Sequence, residues 1–291
     1  MGHESPPPDD LAQLMAELRP SLHRYCARMV GSAFEGEDVV QDALTKAAEA
    51  WPAAGVVEHP RSWLFRIAHN TALDALRHRR RQAALTAHLE PDAAPPGADA
   101  RVAAAASLAI LMQLPAAQRS CVVLVDVLGH SLEETIDILG GTAPGAKAAL
   151  HRGRAKLRAL AALVDPPAAV LDAESSRRLR AYAGRFNARD FDALRALLAE
   201  DVRLDLVNRT RLVGRKDVAI YFTRYEQAAI KWRMAPGLAE GRPAILASDP
   251  DDPTSAVRWV ILLDWKDGEV AAIRDFHYAD YVVDGLALTR L

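Results

Sequence analysis

The sequence predicts a multidomain chain: two all-α helical domains, the second with a helix-turn-helix, followed by an α+β domain. Three observations predict it. Apolar residues recur at spacings of three and four through the first half, while short strand-like runs bounded by turn residues dominate the last third. Two stretches without apolar periodicity, EPDAAPPGADA (90–100) and DPPAA (165–169), break the chain. Between them, TAPGAKAALHRGRAKLR (142–158) forms a helix of one charge sign, with no Asp or Glu from Asp137 to Asp165. The pieces are 10–82, a linker over 83–105, 106–164 and 170–291.

Composition sets the bounds. With 36 Lys plus Arg against 38 Asp plus Glu, the net charge of -2 argues against indiscriminate coating of nucleic acid, so such contacts must come from local patches. A hydrophobic share of 50% over 291 residues supplies material for two or three cores and excludes wholesale disorder. Cys26 and Cys121 lie in apolar helical contexts, as free buried thiols in a reducing compartment would. The opening MGHESPPPDD has no apolar run, and no stretch approaches a membrane span, so a soluble cytoplasmic protein is expected.

In the first piece, Leu11, Leu14, Leu18, Leu22, Tyr25 and Met29 form a helical stripe that the spacing interrupts near Pro20. FEGEDVVQDALTKAAEAW follows, apolar at Val39, Val40, Ala43, Leu44 and Ala47 and polar at Glu35, Glu37, Asp38, Gln41 and Asp42. Acids in a first turn favour the helix dipole, which accounts for some of them; a docking face for a basic partner accounts for the rest. RSWLFRIAHNTALDALRHRRR (61–81) ends on Arg77, Arg79, Arg80 and Arg81, more cations than a C-terminal dipole needs. An aromatic-bearing basic helix suits single-stranded nucleic acid, although Trp63 and Phe65 equally suit a core.

In the second piece, Pro115 signals a helix start, and Ser131-Leu132-Glu133-Glu134 matches a capping box. Gly140-Gly141 stops that short helix, and Thr142 can cap a second one with Pro144 in its first turn. Short helix, glycine turn and longer basic helix make the helix-turn-helix pattern, whose second helix enters the DNA major groove. An ordinary hairpin with a solvated face is the competing reading; the single charge sign favours DNA.

Four motifs now occur in order: DVVQDALTKA, RSWLFRIAHNTALDALRHRRR, LPAAQRSCVVLVDVLGHSLEETIDILG and KAALHRGRAKLR. Together they resemble the bacterial RNA polymerase sigma factors of the extracytoplasmic-function group over residues 10–164. The resemblance implies that the first helical domain binds the clamp of core RNA polymerase and recognises the -10 element, while the second contacts the flap and reads the -35 element. It places Asp38, Gln41 and Asp42 at the polymerase. Trp63, Arg66, His69 and Asn70 fall on the -10 and melting helix, and Arg77, Arg79, Arg80 and Arg81 on phosphates. Lys147, His151, Arg152 and Arg154 fall on the -35 element, and the linker threads the RNA exit path. One departure stands out: Ala143, Pro144, Gly145, Ala146 and Ala148 replace a hydroxyl-rich start of the recognition helix. Backbone and shape readout then take a larger share.

The third piece opens with two helices, AESSRRLRAYAGRFNARD and FDALRALLAED, then VRLDLV as a strand, RTRLVG, and the helix RKDVAIYFTRYEQAA. Further strands are read in KWRMAPGLAEG, RPAILASD, AVRWVILLDWKDG and EVAAIRDFHYADYV, with KDG as a hairpin turn. Helices on one face of an antiparallel curved sheet describe α+β architecture. The order, and DGEVAAIRDFHYADY above all, resembles a cone-shaped SnoaL-like domain. Some sigma factors carry this domain and use it for self-regulation, which implies no dependence on an anti-sigma protein.

Relatives of the cone fold include cyclases and isomerases, which brings a pocket into view. Asp205, Tyr221, Arg258, Asp275 and His277 are its candidate lining, and Asp275 and His277, two apart on a strand, are read as sharing a face. No nucleophile motif, metal cluster or phosphate loop accompanies them, so neither catalysis nor a cofactor or metal is expected. The reading is a transcription initiation factor with a C-terminal regulatory domain and an unidentified small ligand as a candidate for its pocket. A cone-fold enzyme or ligand sensor tethered to a DNA-binding module is the alternative.

Overall fold

The computed structural model describes residues 8–86, 108–160, 171–228 and 231–291. It divides into two compact units, Met1–Pro166 and Pro167–Leu291. Most of the linker expected over 83–105, and the proline break at 165–169, lie outside the described residues.

In the first unit, α1 (Pro8–Val30), α2 (Ala33–Ala50) and α3 (Pro60–Thr86) pack together. Their shared core holds Leu22, Tyr25 and Met29 of α1, Val40 and Leu44 of α2, and Leu64, Ala68 and Ala72 of α3. The break expected near Pro20 is not a break: α1 runs through it. A proline costs one backbone hydrogen bond and a local clash, but Leu18 and Leu22 are buried on either side, and tertiary packing outweighs the propensity. Ser32 caps α2 by accepting the Glu35 N–H at 3.3 Å.

The chain resumes with α4 (Leu108–Met112) and α5 (Ala116–Val122), then a π-helical turn, Val123–Val127. α6 (Leu132–Leu139) and α7 (Ala143–Leu160) follow. Ser131 and Glu134 close the expected capping box, with bonds of 3.1 and 2.7 Å. Gly140 and Gly141 take φ of 75° and 97°, left-handed conformations that make the short turn between α6 and α7. Thr142 then accepts the Gly145 N–H at 3.3 Å. Ile110, Leu111, Cys121, Val122, Leu150 and Leu157 form a second core, but Val123, Leu124 and Ile138 join the core of α1–α3. The two helical pieces therefore share buried surface in this structure.

The second unit carries α8 (Ala173–Asn187), α9 (Phe191–Arg195) and α10 (Arg215–Gln227) on a seven-stranded sheet of order β2-β1-β6-β5-β4-β3-β7. The strands are β1 (Leu198–Leu206), β2 (Thr210–Val213), β3 (Arg233–Ala239), β4 (Arg242–Ser248), β5 (Val257–Lys266), β6 (Glu269–Asp275) and β7 (Leu288–Arg290). Tyr182, Phe186, Phe191 and Phe222 of the helices pack on Ile245, Ile261 and Ile273 of the sheet.

Three expectations change here. The helix read through Asp201 ends at Arg195, because Val202, Leu204 and Leu206 alternate inward as a strand does and draw β1 back to Leu198. The sheet is not wholly antiparallel, since β1 pairs with β6 in parallel. Finally, β6 stops at Asp275, so His277 lies beyond the strand and the shared-face argument fails. Asp275 Oδ1 instead accepts the His277 backbone N–H at 2.9 Å, folding the chain out of the sheet.

Candidate functional site

The basic helix α7 turns Leu150, Gly153 and Leu157 inward and leaves Lys147, His151, Arg152, Lys156 and Arg158 exposed. That exposed stripe carries no acid, as the sequence indicated. Arg154 departs from it. Its guanidinium clasps both oxygens of Asp126 in the π-helical turn at 2.9 and 2.5 Å, and this bond holds its proton even more firmly than usual. In this arrangement Arg154 braces α7 and is not displayed for DNA.

The candidates on α3 divide three ways. Asn70, Arg80 and Arg81 are exposed, and the two arginines have no ion-pair partner among the described residues. Arg77 pairs with Asp74 at 2.8 Å, while Arg79 donates to the Val30 carbonyl at 3.0 Å and to Glu35. Trp63 is half-buried, edge-on to Trp51 with ring centroids 5.4 Å apart. Arg66 spends two N–H groups on the Asp137 carbonyl of α6, at 3.0 and 2.5 Å. Beside it, Phe65 meets His130 edge-on at 4.9 Å. His69 faces the core, not solvent: it is 8% exposed and bonded through Nδ1 to the Tyr25 hydroxyl at 2.7 Å. Burial, helped by the Arg77 charge, pushes its pKa down to about 4. A neutral ring held inside cannot contact DNA in this arrangement, a correction to its placement on the -10 surface.

On α2, Asp38, Gln41 and Asp42 are all exposed, and Gln41 accepts from Arg19 at 2.7 Å. The same arginine pairs with the buried Glu37 at 2.5 Å, an ion pair that the sequence pattern did not single out.

In the second unit, two of the five pocket candidates lie elsewhere. Asp205 is paired with Arg211 and Arg274, at 3.3 and 3.2 Å, and Arg258 is an exposed partner of Asp249. Tyr221 and His277 do line a small, open pocket of about 70 Å³, together with Arg224, Tyr225, Trp232 and Tyr278. Asp275 is fully buried behind it. Its Oδ2 accepts both phenols, from Tyr221 at 2.8 Å and Tyr225 at 2.7 Å. Burial raises the carboxyl pKa, opposed by these donors and by the His277 N–H. With both oxygens occupied, Asp275 fixes two tyrosines; as arranged, it does not present a free base to the pocket.

Three family models match in order: Sigma-70 region 2 over residues 14–82, Sigma-70 region 4 over 106–157, and a SnoaL-like domain over 179–273. Among curated proteins, the chain is 30% identical to the ECF RNA polymerase sigma factor SigG of Mycobacterium tuberculosis over 205 residues, 60% of this chain and 55% of SigG. The match thus spans about half the length of that relative. It is 35% identical to RNA polymerase sigma factor CarQ of Myxococcus xanthus over 161 residues, 52% of this chain and 89% of CarQ.

Among solved structures, the M. tuberculosis extracytoplasmic function sigma factor SigJ matches 91% of this chain and 95% of its own, at 19% identity and a TM-score of 0.36. The sigma factor RpoE of Bartonella quintana, in complex with the anti-sigma factor NepR, matches 52% of this chain and 96% of its own, at 26% identity and a TM-score of 0.41. The expectation that no anti-sigma protein is needed gains nothing from this set and is not carried further.

Proposed function

Because this chain belongs to the ECF RNA polymerase sigma factors, we propose that it binds core RNA polymerase and directs it to promoters. The observation that carries the reading is the acid-free exposed stripe of α7, set on a capped helix-turn-helix and following a region 2 match in the family's order. In this reading Lys147, His151 and Arg152 face the -35 element, Asn70, Arg80 and Arg81 the -10 region, and Asp38 and Asp42 the polymerase clamp. Arg66 joins the DNA surface once the Asp137 carbonyl releases it. Residues 10–82 and 106–164 are the two promoter-binding domains, the intervening segment follows the RNA exit path, and polymerase supplies the chemistry. The C-terminal unit, 170–291, regulates the other two. Tethering gives it a high effective concentration, so a weak interface suffices.

In vitro transcription tests this. Purified chain added to core polymerase should yield promoter-dependent transcripts, and loss of the C-terminal unit after residue 165 should change their amount. No transcript from any promoter in a genomic template library would overturn the initiation reading. Equal transcription by full-length and shortened chains would overturn the regulatory one.

A further inference from the structure

Helix α3, which carries the -10 candidates, is held by the helix-turn-helix in this structure. The short helix α6 ends at Leu139, and a helix leaves its last carbonyls without partners of its own. The Gly140 N–H takes the carbonyl of Ile136. The next carbonyl, that of Asp137, accepts two N–H groups of Arg66 from α3, at 3.0 and 2.5 Å. A guanidinium there also suits the negative end of the α6 dipole. Beside it the buried Phe65 ring meets His130, on the turn that leads into α6, edge-on at 4.9 Å. An apolar seat backs these contacts. Val123, Leu124 and Ile138 are buried with the core of α1–α3, and Gly31 leaves no room for a Cβ beside Met112 of α4.

An arginine that reaches another element can be a permanent brace, as Arg154 is. Distance decides otherwise for Arg66. Elements centred near -10 and -35 lie about 25 base pairs apart, on the order of 80 Å of DNA at about 3.4 Å per pair. Helix α7 begins at Ala143, soon after Asp137, and its 18 residues span about 27 Å. Chain geometry therefore keeps Lys147, His151 and Arg152 within roughly 40 Å of Arg66 while the Asp137 contact holds. The closed chain cannot reach both elements at once.

We propose that the Arg66–Asp137 and Phe65–His130 contacts form an autoinhibitory latch, which holds the free chain closed until core RNA polymerase opens it. The proposal rests on the promoter reading above. Arg66 either caps α6 or faces the -10 region, so closing the chain and reading the promoter exclude each other. Closure lowers the apparent affinity for core polymerase in proportion to the fraction of chains that are open.

Pulsed EPR distances in the full chain test it, with spin labels at Glu49→Cys of α2 and Ala159→Cys of α7. Both positions are exposed, whereas the native Cys26 and Cys121 are buried. The free chain should give one short distance, and core polymerase should replace it with a longer one. Arg66→Ala combined with His130→Ala should bring in the longer distance without polymerase. His130→Ala alone keeps every residue assigned to DNA or polymerase, together with the backbone bond from residue 130 to the Leu124 carbonyl. It should bind core polymerase about threefold more tightly, roughly the share of one aromatic pair. A long distance in the free chain, an unchanged distance in the double variant, or an unchanged core affinity in His130→Ala would each overturn the latch while leaving the promoter reading in place. No core binding by any of these chains would overturn the promoter reading and the inhibitory role together.

Discussion

Arg154 of α7 and Asp126 of the π-helical turn form a two-point ion pair across 28 residues of sequence, with the carboxylate nearly buried at 11% exposure. The pair ties the basic helix to the scaffold that presents it. Arg154→Ala and Asp126→Ala should therefore each destabilise the first unit by about 1 kcal/mol, the upper end for a partly exposed pair. Arg152→Ala should leave the melting temperature unchanged but lower the salt dependence of promoter binding by about one phosphate contact. Thermal unfolding and DNA binding at several salt concentrations separate the two arginines. Equal behaviour of both variants in both assays would return Arg154 to the DNA surface.

The exposed acids of α2 make a second prediction. Asp38→Arg combined with Asp42→Arg should abolish co-purification with core polymerase while circular dichroism stays native, because surface charge reversals seldom cost more than about 0.5 kcal/mol. Gln41→Ala tests a different point. Its oxygen is already held by Arg19, so losing it also loosens α1 against α2, and the melting temperature should fall with the binding. Normal core affinity in the double variant would remove the docking face from α2.

Most of the helical architecture was legible because its signals are local. The Ser131–Glu134 capping box, the Gly140-Gly141 turn and the cap at Thr142 all lie within four residues of what they bind. What failed depended on distant partners. The search for acids along α7 missed Asp126, which sits in another element. His69 lies on the exposed-looking side of a basic run, yet Tyr25, 44 residues earlier, claims its nitrogen. Asp205 and Arg258 resembled pocket residues because strand alternation gives a face, not which side of a curved sheet closes over a cavity. Trp232, with no motif around it, could be placed at the pocket only by the folded chain.

The Tyr25–His69 contact makes stability depend on pH in a defined direction. His69 titrates near 4 when folded and near its ordinary 6.5 when unfolded, so between these values the unfolded chain binds more protons. Stability is complete above that window and falls as pH drops through it, by up to about 3 kcal/mol for this one ring. His69→Gln, which keeps a hydrogen-bonding group but cannot charge, should flatten the slope of unfolding free energy between pH 6.5 and 4 in urea melts. An unchanged slope would mean that another group, such as His130, whose pKa is also lowered by burial, dominates acid sensitivity.

The last prediction tests how α7 is held at its midpoint. At Gly153, helix α7 crosses α5 so closely that an added Cβ would stand 2.7 Å from Val122 Cγ2 and 3.2 Å from the Gln118 carbonyl. Replacing glycine inside a helix with alanine usually gains about 1 kcal/mol in propensity, whereas overpacking costs about 1–3 kcal/mol. The two nearly cancel for alanine. For Gly153→Val they do not, since a β-branched residue gains less and pushes two methyl groups into a β-branched neighbour. Valine should therefore destabilise the first unit by about 2 kcal/mol and weaken promoter binding at all salt concentrations, with alanine close to neutral. The uniform loss distinguishes it from Arg152→Ala, which acts through charge. A valine variant with unchanged melting temperature would show that α5 and α7 can separate without cost, and that the helix-turn-helix is not braced at this crossing.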